Sequence, residues 1–371
     1  MANYDYEIVN GRKIRVRPKE TVSEIDKNGY FRRQPNHFTT PFGDGENDLK
    51  AEGNKRYRLV WAKLCHWSNR AAIVRELEGL EDQISVNMVE HAPHEKNLGW
   101  EYVYNENNID PMLGDQFLSE AYYRADDDYQ GRTTVPALID TTTGKVVNND
   151  YNWLTTYFEV NFRPWHKKGA PELYPVELRE EIDKMNLWLF DNINNAVYRS
   201  SFSRSNEGHF DGVNTFYAAM DRLEKRLETN RFLFGDYVTD SDIRLYVTLA
   251  RLDIRYTAQL GETKRPLYTY KNLWGYAKEL WEIPAFAHHT DFAAIIRQGR
   301  IEGEEDGFRA STHYDLALPK IDWDAQWKVS TERAYLSSDP THPIYLGNNR
   351  RFDIDPTWYD PVSYTHLRAH E

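Results

Sequence analysis

The sequence predicts two domains of different class, a mixed α/β domain followed by an all-helical one. Three observations lead there. Between Arg56 and Asn149, short runs alternate apolar and polar residues as strands do. Beyond Glu172, apolar residues recur three and four apart, as helices require. The one cysteine of the chain, Cys65, stands on the turn between the first of those strands and the first helix. At 371 residues the chain exceeds an ordinary single domain, so two domains plus extensions fit its length.

Composition narrows the function classes. Hydrophobic residues make up 40% and aromatics 14%, with 11 Trp and 25 Tyr, which supplies a buried core and argues against global disorder. With 46 basic against 58 acidic residues the net charge is −12, which disfavours nucleic acid, because that affinity rests on clustered cations. The start, MANYDYEIVNGRKIRVRPKE, holds no apolar core of signal-peptide length, and nowhere do eighteen apolar residues run together. No membrane segment is therefore expected, and the cytoplasm is the expected location. A single cysteine excludes an intramolecular disulfide and a Cys-rich zinc site, and fits a reducing compartment.

The elements follow in order. Residues 1–50, broken by RPKE, RRQPNHF and PFGDGEN, read as an N-terminal extension wrapped on the surface. Residues 51–165 form the α/β domain. RYRLVWA is its first strand, SNRAAIVRELEGLE its first helix, and ISVNMVE its second strand. After a long insertion, TVPALID and KVVNN are two strands separated by the turn TTTG, and a helix lies near DYNWLTTYFEV. Residues 166–300 are the helical domain, carried by PVELREEIDKMNLWLFDNINNAVY, GVNTFYAAMDRLEKRLETN and DSDIRLYVTLARLDIRYTAQL. Thr239 and Asp242 form a capping box, with Asp in place of the usual Glu or Gln. Residues 301–371 lose periodicity and read as a C-terminal appendage whose last residues, THLRAHE, look foreign to the rest.

Cys65 carries the chemistry. A thiol reacts as thiolate, and the unpaired N–H groups and dipole of a helix N-terminus favour that anion. The run Cys65-His66-Trp67-Ser68 follows a strand and opens a helix, which is the thioredoxin-like arrangement with Ser in place of a second cysteine. His66 and Arg70 are further sources of positive charge there. The alternative is that a lone cysteine is a small buried hydrophobe. Val135-Pro136 favours the first reading, because thioredoxin-like folds set a cis-proline beside the nucleophile ahead of the third strand, although a strand-edge trans proline is the commoner fate of such a pair. His91, His94 and Glu95 are spaced as metal ligands, but a solvated loop explains them as well and no metal is expected.

From about Gly29 to Tyr276 the chain resembles the glutathionyl-hydroquinone reductases, the Xi class of glutathione transferases. The pieces that match include GYFRRQPNHF, AEGNKRYRLVWAKLCHWSNR, LEGLEDQISV, GWEYVY, ADDDYQGRTTVPALID, VVNND, LYPVELREEID, NINNAVYRSSF, FLFGDYVTDSDIRLYVTLARLDIRY and YKNLWGY, in the family's order. The resemblance implies an α/β thioredoxin-like N-terminal domain plus an all-α glutathione-transferase C-terminal domain. It also implies a homodimer, and reduction of glutathionyl-hydroquinones, small quinone-derived aromatics, at the expense of glutathione. It assigns Cys65 as nucleophile, Trp100 to pack on glutathione, Val135 ahead of Pro136 to pair its backbone with the cysteinyl moiety, and Arg132 as an anionic anchor. Tyr198 and Tyr256 would line the aromatic pocket, ordinary packing being their alternative. Asp150 and Tyr151 stand at the helix start that holds the γ-glutamyl end.

This chain departs from the family at chosen places. Cys-Pro-Trp-Ala reads Cys65-His66-Trp67-Ser68 here, and the Glu-Ser that holds the γ-glutamyl end reads Asp150-Tyr151. A shorter acid still pairs with an ammonium, whereas a phenol crowds the carboxylate beside it. The family's Cys-Asn and His-Tyr-Tyr segments give way to QLGETKRP and FAAIIRQG, so a reshaped aromatic pocket is expected. The leading expectation is a monothiol exchange at Cys65, with a second thiol resolving the mixed disulfide. The alternatives are a transferase or thioltransferase using other electrophiles or another small thiol, and a non-catalytic scaffold of the same fold.

Overall fold

The chain opens on a hairpin where the sequence predicts only a surface extension. In the computed structural model, which describes residues 4–17, 23–91, 98–261, 265–296 and 322–337, strands β1 (Tyr6–Val9) and β2 (Arg12–Arg15) pair antiparallel. Asn10 (φ 51°) and Gly11 (φ 78°) make the turn; two successive positive φ values are what a tight two-residue hairpin demands and what Asn-Gly supplies. Ile14 of this hairpin is buried with Leu98 and Phe117, so the extension supplies core.

Two units divide the chain, one of Met1–Glu24 and Arg33–Ala170, the other of Ile25–Arg32 and Pro171–Glu371. The first unit continues with β3 (Tyr57–Trp61), α1 (His66–Leu77), β4 (Ile84–Met88), β5 (Glu90–His91), β6 (Trp100–Glu101), α2 (Leu118–Ala125), β7 (Ala137–Asp140), β8 (Lys145–Asn148) and α3 (Leu154–Val160). Its main sheet has the order β4-β3-β7-β8. β3 runs parallel to β4, with Leu59 opposite Val86, and antiparallel to β7, with Leu59 opposite Leu138. This is the thioredoxin-like order. The alternation in β3 predicts one wet face, yet all five residues are buried, as befits a central strand. Its one charged side chain, Arg58, is satisfied by Asp110 at 2.9 Å.

The second unit is helical: α4 (Arg179–Leu189), α5 (Ala196–Phe202), α6 (Asn206–Arg226), α7 (Asp240–Arg251), α8 (Thr257–Gln259), α9 (Lys271–Trp281) and α10 (Pro284–His288). The long helix predicted from Pro175 is broken by a π-helical turn at Phe190–Asn194, and a second π turn, Leu252–Tyr256, follows α7. α7 is buried along its whole length. It begins at the predicted capping box: Asp242 Oδ2 accepts from Thr239 N at 2.8 Å and Thr239 Oγ1 at 2.9 Å, while Oδ1 accepts from Leu233 N and Tyr276 OH. Among the described residues no helix is long and apolar enough to cross a membrane.

Of the predicted C-terminal appendage, residues 322–337 are described; most are exposed, but Trp323, Trp327 and Arg333 are buried, and Trp327, 2% exposed, meets Trp274, Phe292 and Tyr246 edge-on or tilted. The rest of it, THLRAHE included, lies outside the described residues, as do His94 and Glu95. His91 is paired edge-on with Trp100, and no described group of three His, Cys, Asp or Glu residues is arranged to hold a metal ion.

Candidate active site

Cys65 caps α1. Its backbone is extended (φ −83°, ψ 116°) and its carbonyl accepts the helix's first bond from Asn69 N at 2.9 Å, so the residue sits half inside the helix. The Cys65 side chain makes no capping hydrogen bond to the turn it heads. The turn is held from beneath by Ser68. Its hydroxyl accepts from Ala62 N at 3.1 Å and lies 3.2 Å from Ala62 O and 3.3 Å from Cys65 O. Ser68 therefore closes the backbone of the turn.

The sulfur faces the segment leading into β7. Cys65 Sγ is 7% exposed at the residue level and donates to Val135 O at 3.8 Å. The Val135-Pro136 peptide is cis. Thr134, just before it, is fixed from two sides: Tyr122 OH donates to its carbonyl at 2.8 Å, and Asn149 Nδ2 donates to its Oγ1 at 3.2 Å. Burial raises the Tyr122 phenol, so it remains a neutral donor across the working pH range.

Arg132 lies earlier on the same segment, and Trp100 of β6 reaches that segment from the side. Trp100 Nε1 donates to Thr133 O at 3.2 Å. The preceding Gly99 has φ +78°, and a Cβ on it would come within 2.7 Å of Thr133 Oγ1, so the Gly-Trp pair needs its glycine for this approach. Arg132 is tied to Glu24, with Nε 2.8 Å from Oε2 and Nη2 donating to Oε1 at 3.0 Å. The backbone of Arg132 is clasped by the Gln34 amide, which accepts from Arg132 N at 2.9 Å and donates to its carbonyl at 3.0 Å. The anionic anchor implied by resemblance is thus already paired.

Asp150 and Tyr151 differ in availability. Asp150 Oδ1 accepts from Asn36 Nδ2 at 2.9 Å and Asn152 N at 3.0 Å. The Tyr151 ring lies against Trp67, centroids 4.8 Å apart, and the Arg33 guanidinium sits 4.5 Å from the Trp67 ring centre and 5.8 Å from that of Tyr151. Burial raises the Tyr151 phenol although Arg33 pulls it down. The phenol therefore leans on Trp67 of α1, where a small hydroxyl would leave space.

In the second unit, Tyr198 is half-buried among aromatics, 6.4 Å from Phe31 and 5.6 Å from Phe202 between ring centres. Tyr256 is 2% exposed and closes the π turn Leu252–Tyr256, and Tyr198 follows the π turn Phe190–Asn194 by four residues. π turns recur at functional sites. The structure thus gathers Cys65, Trp100, Arg132, Val135, Pro136, Asp150 and Tyr151 in the first unit, and Tyr198 and Tyr256 in the second. Sequence reasoning missed Glu24, Gln34 and Arg33, which lie in the segment read as an extension; no periodicity marks them, since their partners are far along the chain.

Comparison with known proteins agrees with this geometry. Residues 197–279 match the family model "Glutathione S-transferase, C-terminal domain". The chain is 35% identical to glutathione S-transferase omega-like 2 of Schizosaccharomyces pombe, over 72% of this chain and 88% of that protein. It is 33% identical to the glutathionyl-hydroquinone reductase YqjG of Escherichia coli, over 65% and 73%; the glutathione-bound structure of YqjG superposes with a TM-score of 0.65 at 30% identity, covering 75% of this chain and 91% of that one. The Xi glutathione transferase structure from Phanerochaete chrysosporium gives 0.66 at 33% identity, over 73% and 87%. With this fold, this cysteine turn and relatives of that identity and coverage, the chain belongs to the Xi-class glutathione transferases, the family of the glutathionyl-hydroquinone reductases.

Proposed function

We propose that this protein reduces glutathionyl-hydroquinones with glutathione, through a Cys65 thiolate and a mixed disulfide. The observation that carries the reading is the sulfur at the head of α1, 3.8 Å from the Val135 carbonyl. A cysteinyl ligand paired with that backbone brings its own sulfur beside Cys65. The relatives named as reductases add to it.

The thiolate attacks the glutathionyl sulfur of the thioether. In the keto tautomer of the ring, where the sulfur-bearing carbon already holds its proton, the sulfur–carbon bond breaks, its electron pair moves through the ring onto the oxygen, that oxygen takes a proton, and the hydroquinone leaves. A glutathione thiolate then attacks the mixed disulfide, releasing oxidised glutathione and restoring Cys65. The two glutathione sulfurs that end in the disulfide, one from the thioether and one from the free thiol, supply the two electrons that reduce the ring. Tyr198 and Tyr256 are the proposed donors to the ring oxygen, where charge develops. A homodimer and a cytoplasmic setting belong to the same reading. Replacing Cys65 by Ala abolishes turnover of a glutathionyl-hydroquinone while circular dichroism stays that of the wild type; undiminished turnover would refute the assignment.

One observation favours a second reading. Tyr151 fills the place of a small hydroxyl and lies tilted against Trp67, which favours a different small thiol or other electrophiles. Calorimetric titration separates the two: no heat from millimolar glutathione supports the second.

A further inference from the structure

A small open cavity of about 100 Å³ lies beside Trp100, lined among others by Arg17, Tyr123, Arg132 and Thr133. It holds two guanidinium groups. One of them, Arg132, is matched by the Glu24 carboxylate. Burial raises Glu24, but the charge and hydrogen bond of Arg132 and the amide of Gln34 outweigh it and hold the carboxyl below its usual range, so Glu24 is an anion at neutral pH. Arg17, just beyond β2, is the other. Burial and then the like charge of Arg132 lower its pKa, a sign that its charge is desolvated and close to the second cation. Glu24 also feels the Arg33 cation, so positive charge exceeds negative around this cavity, which suits one more carboxylate.

The polarity of the site says which carboxylate. A peptide-like thiol with its cysteine against Val135 runs along an extended segment that advances about 3.3 Å per residue. The residue after the cysteine then falls beside Thr133 and Thr134, on the flank of the cavity, where Trp100 Nε1 is bonded to Thr133 O. An acid, Asp150, stands at the helix start that follows β8 and suits an ammonium; the arginine end suits an anion.

We propose that Arg17, contributed by the N-terminal hairpin, is the principal anchor for the C-terminal carboxylate of the peptide thiol, with Arg132 held by Glu24 as its second. This rests on the reading of Cys65 and Val135 as the thiol site, and it moves the anchoring charge from Arg132 to a residue outside the matched segment. The hairpin thereby selects thiols that carry a carboxylate one residue beyond the cysteine.

Calorimetry with two ligands tests it: glutathione, and glutathione esterified on its glycyl carboxylate, which lacks only that charge. Wild type binds glutathione about tenfold more tightly than the ester, the measure of one charge-assisted hydrogen bond. Arg17→Gln brings glutathione down to the affinity of the ester and leaves the ester unchanged, and Arg17→Lys retains part of the difference. Equal wild-type affinity for the two ligands overturns the subsite and leaves the glutathione reading standing. An Arg17→Gln variant that keeps the full preference, or weakens both ligands alike, also overturns it. Wild type that binds neither ligand overturns the glutathione reading, and the subsite with it.

Discussion

The hydroxyl of Ser68 accepts from one buried amide and lies within reach of two carbonyls at the turn that carries Cys65. Ser68→Ala restores the residue found in the family motif, yet here it strands Ala62 N–H in a buried turn. A loss of about 1–2 kcal/mol follows, read as a lower urea midpoint with unchanged slope; a variant as stable as wild type would show that the turn closes without this hydroxyl. Tyr151 makes the opposite case. Its ring rests on Trp67 beside Arg33, so Tyr151→Ser opens the space a γ-glutamyl carboxylate needs. Glutathione affinity then rises about tenfold, or about 1.4 kcal/mol, by calorimetry; weaker binding would mean that the phenol is itself a ligand contact. The strand-to-helix turn of Cys65 and the cis Val135-Pro136 peptide it faces were legible because both signals are local. That Arg132 is spent on Glu24 was not, because the partners lie 108 residues apart.

Elements with strong local rules are the ones sequence reasoning finds. The strand-turn-helix at Cys65, the β7–β8 hairpin and the Thr239–Asp242 capping box follow from alternation, turn residues and caps. The Asn10-Gly11 hairpin carries an equally local signal, masked by the polar residues around it. The π turns carry none, because an inserted residue shifts helical spacing without breaking it. Asp253 sits in one of them, and burial pushes its carboxyl up to about 6 against the pull of the Leu267 and Tyr268 amides. An unfolded Asp titrates near ~3.9. Between about pH 4 and 6 the native state therefore holds a proton that the unfolded chain has lost, and stability falls as pH rises through that window. The contribution reaches up to about 3 kcal/mol. Asp253→Asn flattens this slope by about one proton in urea unfolding run at several pH values; an unchanged slope would contradict the assignment.

At the scale of the whole molecule, net charge disfavours a nucleic-acid partner and length fits more than one domain; the chain divides into two units. What composition and periodicity do not carry is the contribution of the first 34 residues, which lend Ile14 to the core and Arg17, Glu24 and Gln34 to the surroundings of Arg132. Such contacts are made by folding a polar segment back on a distant one, and leave no pattern in either. The central claim is that Cys65 alone takes the glutathionyl group. Mixing the protein with a glutathionyl-hydroquinone in the absence of free glutathione, quenching in acid and weighing the intact chain tests it most directly. The account predicts one hydroquinone released per chain and one glutathionyl adduct, lost on reduction and absent from Cys65→Ala. Hydroquinone released without an adduct, or an adduct that persists in Cys65→Ala, would contradict it.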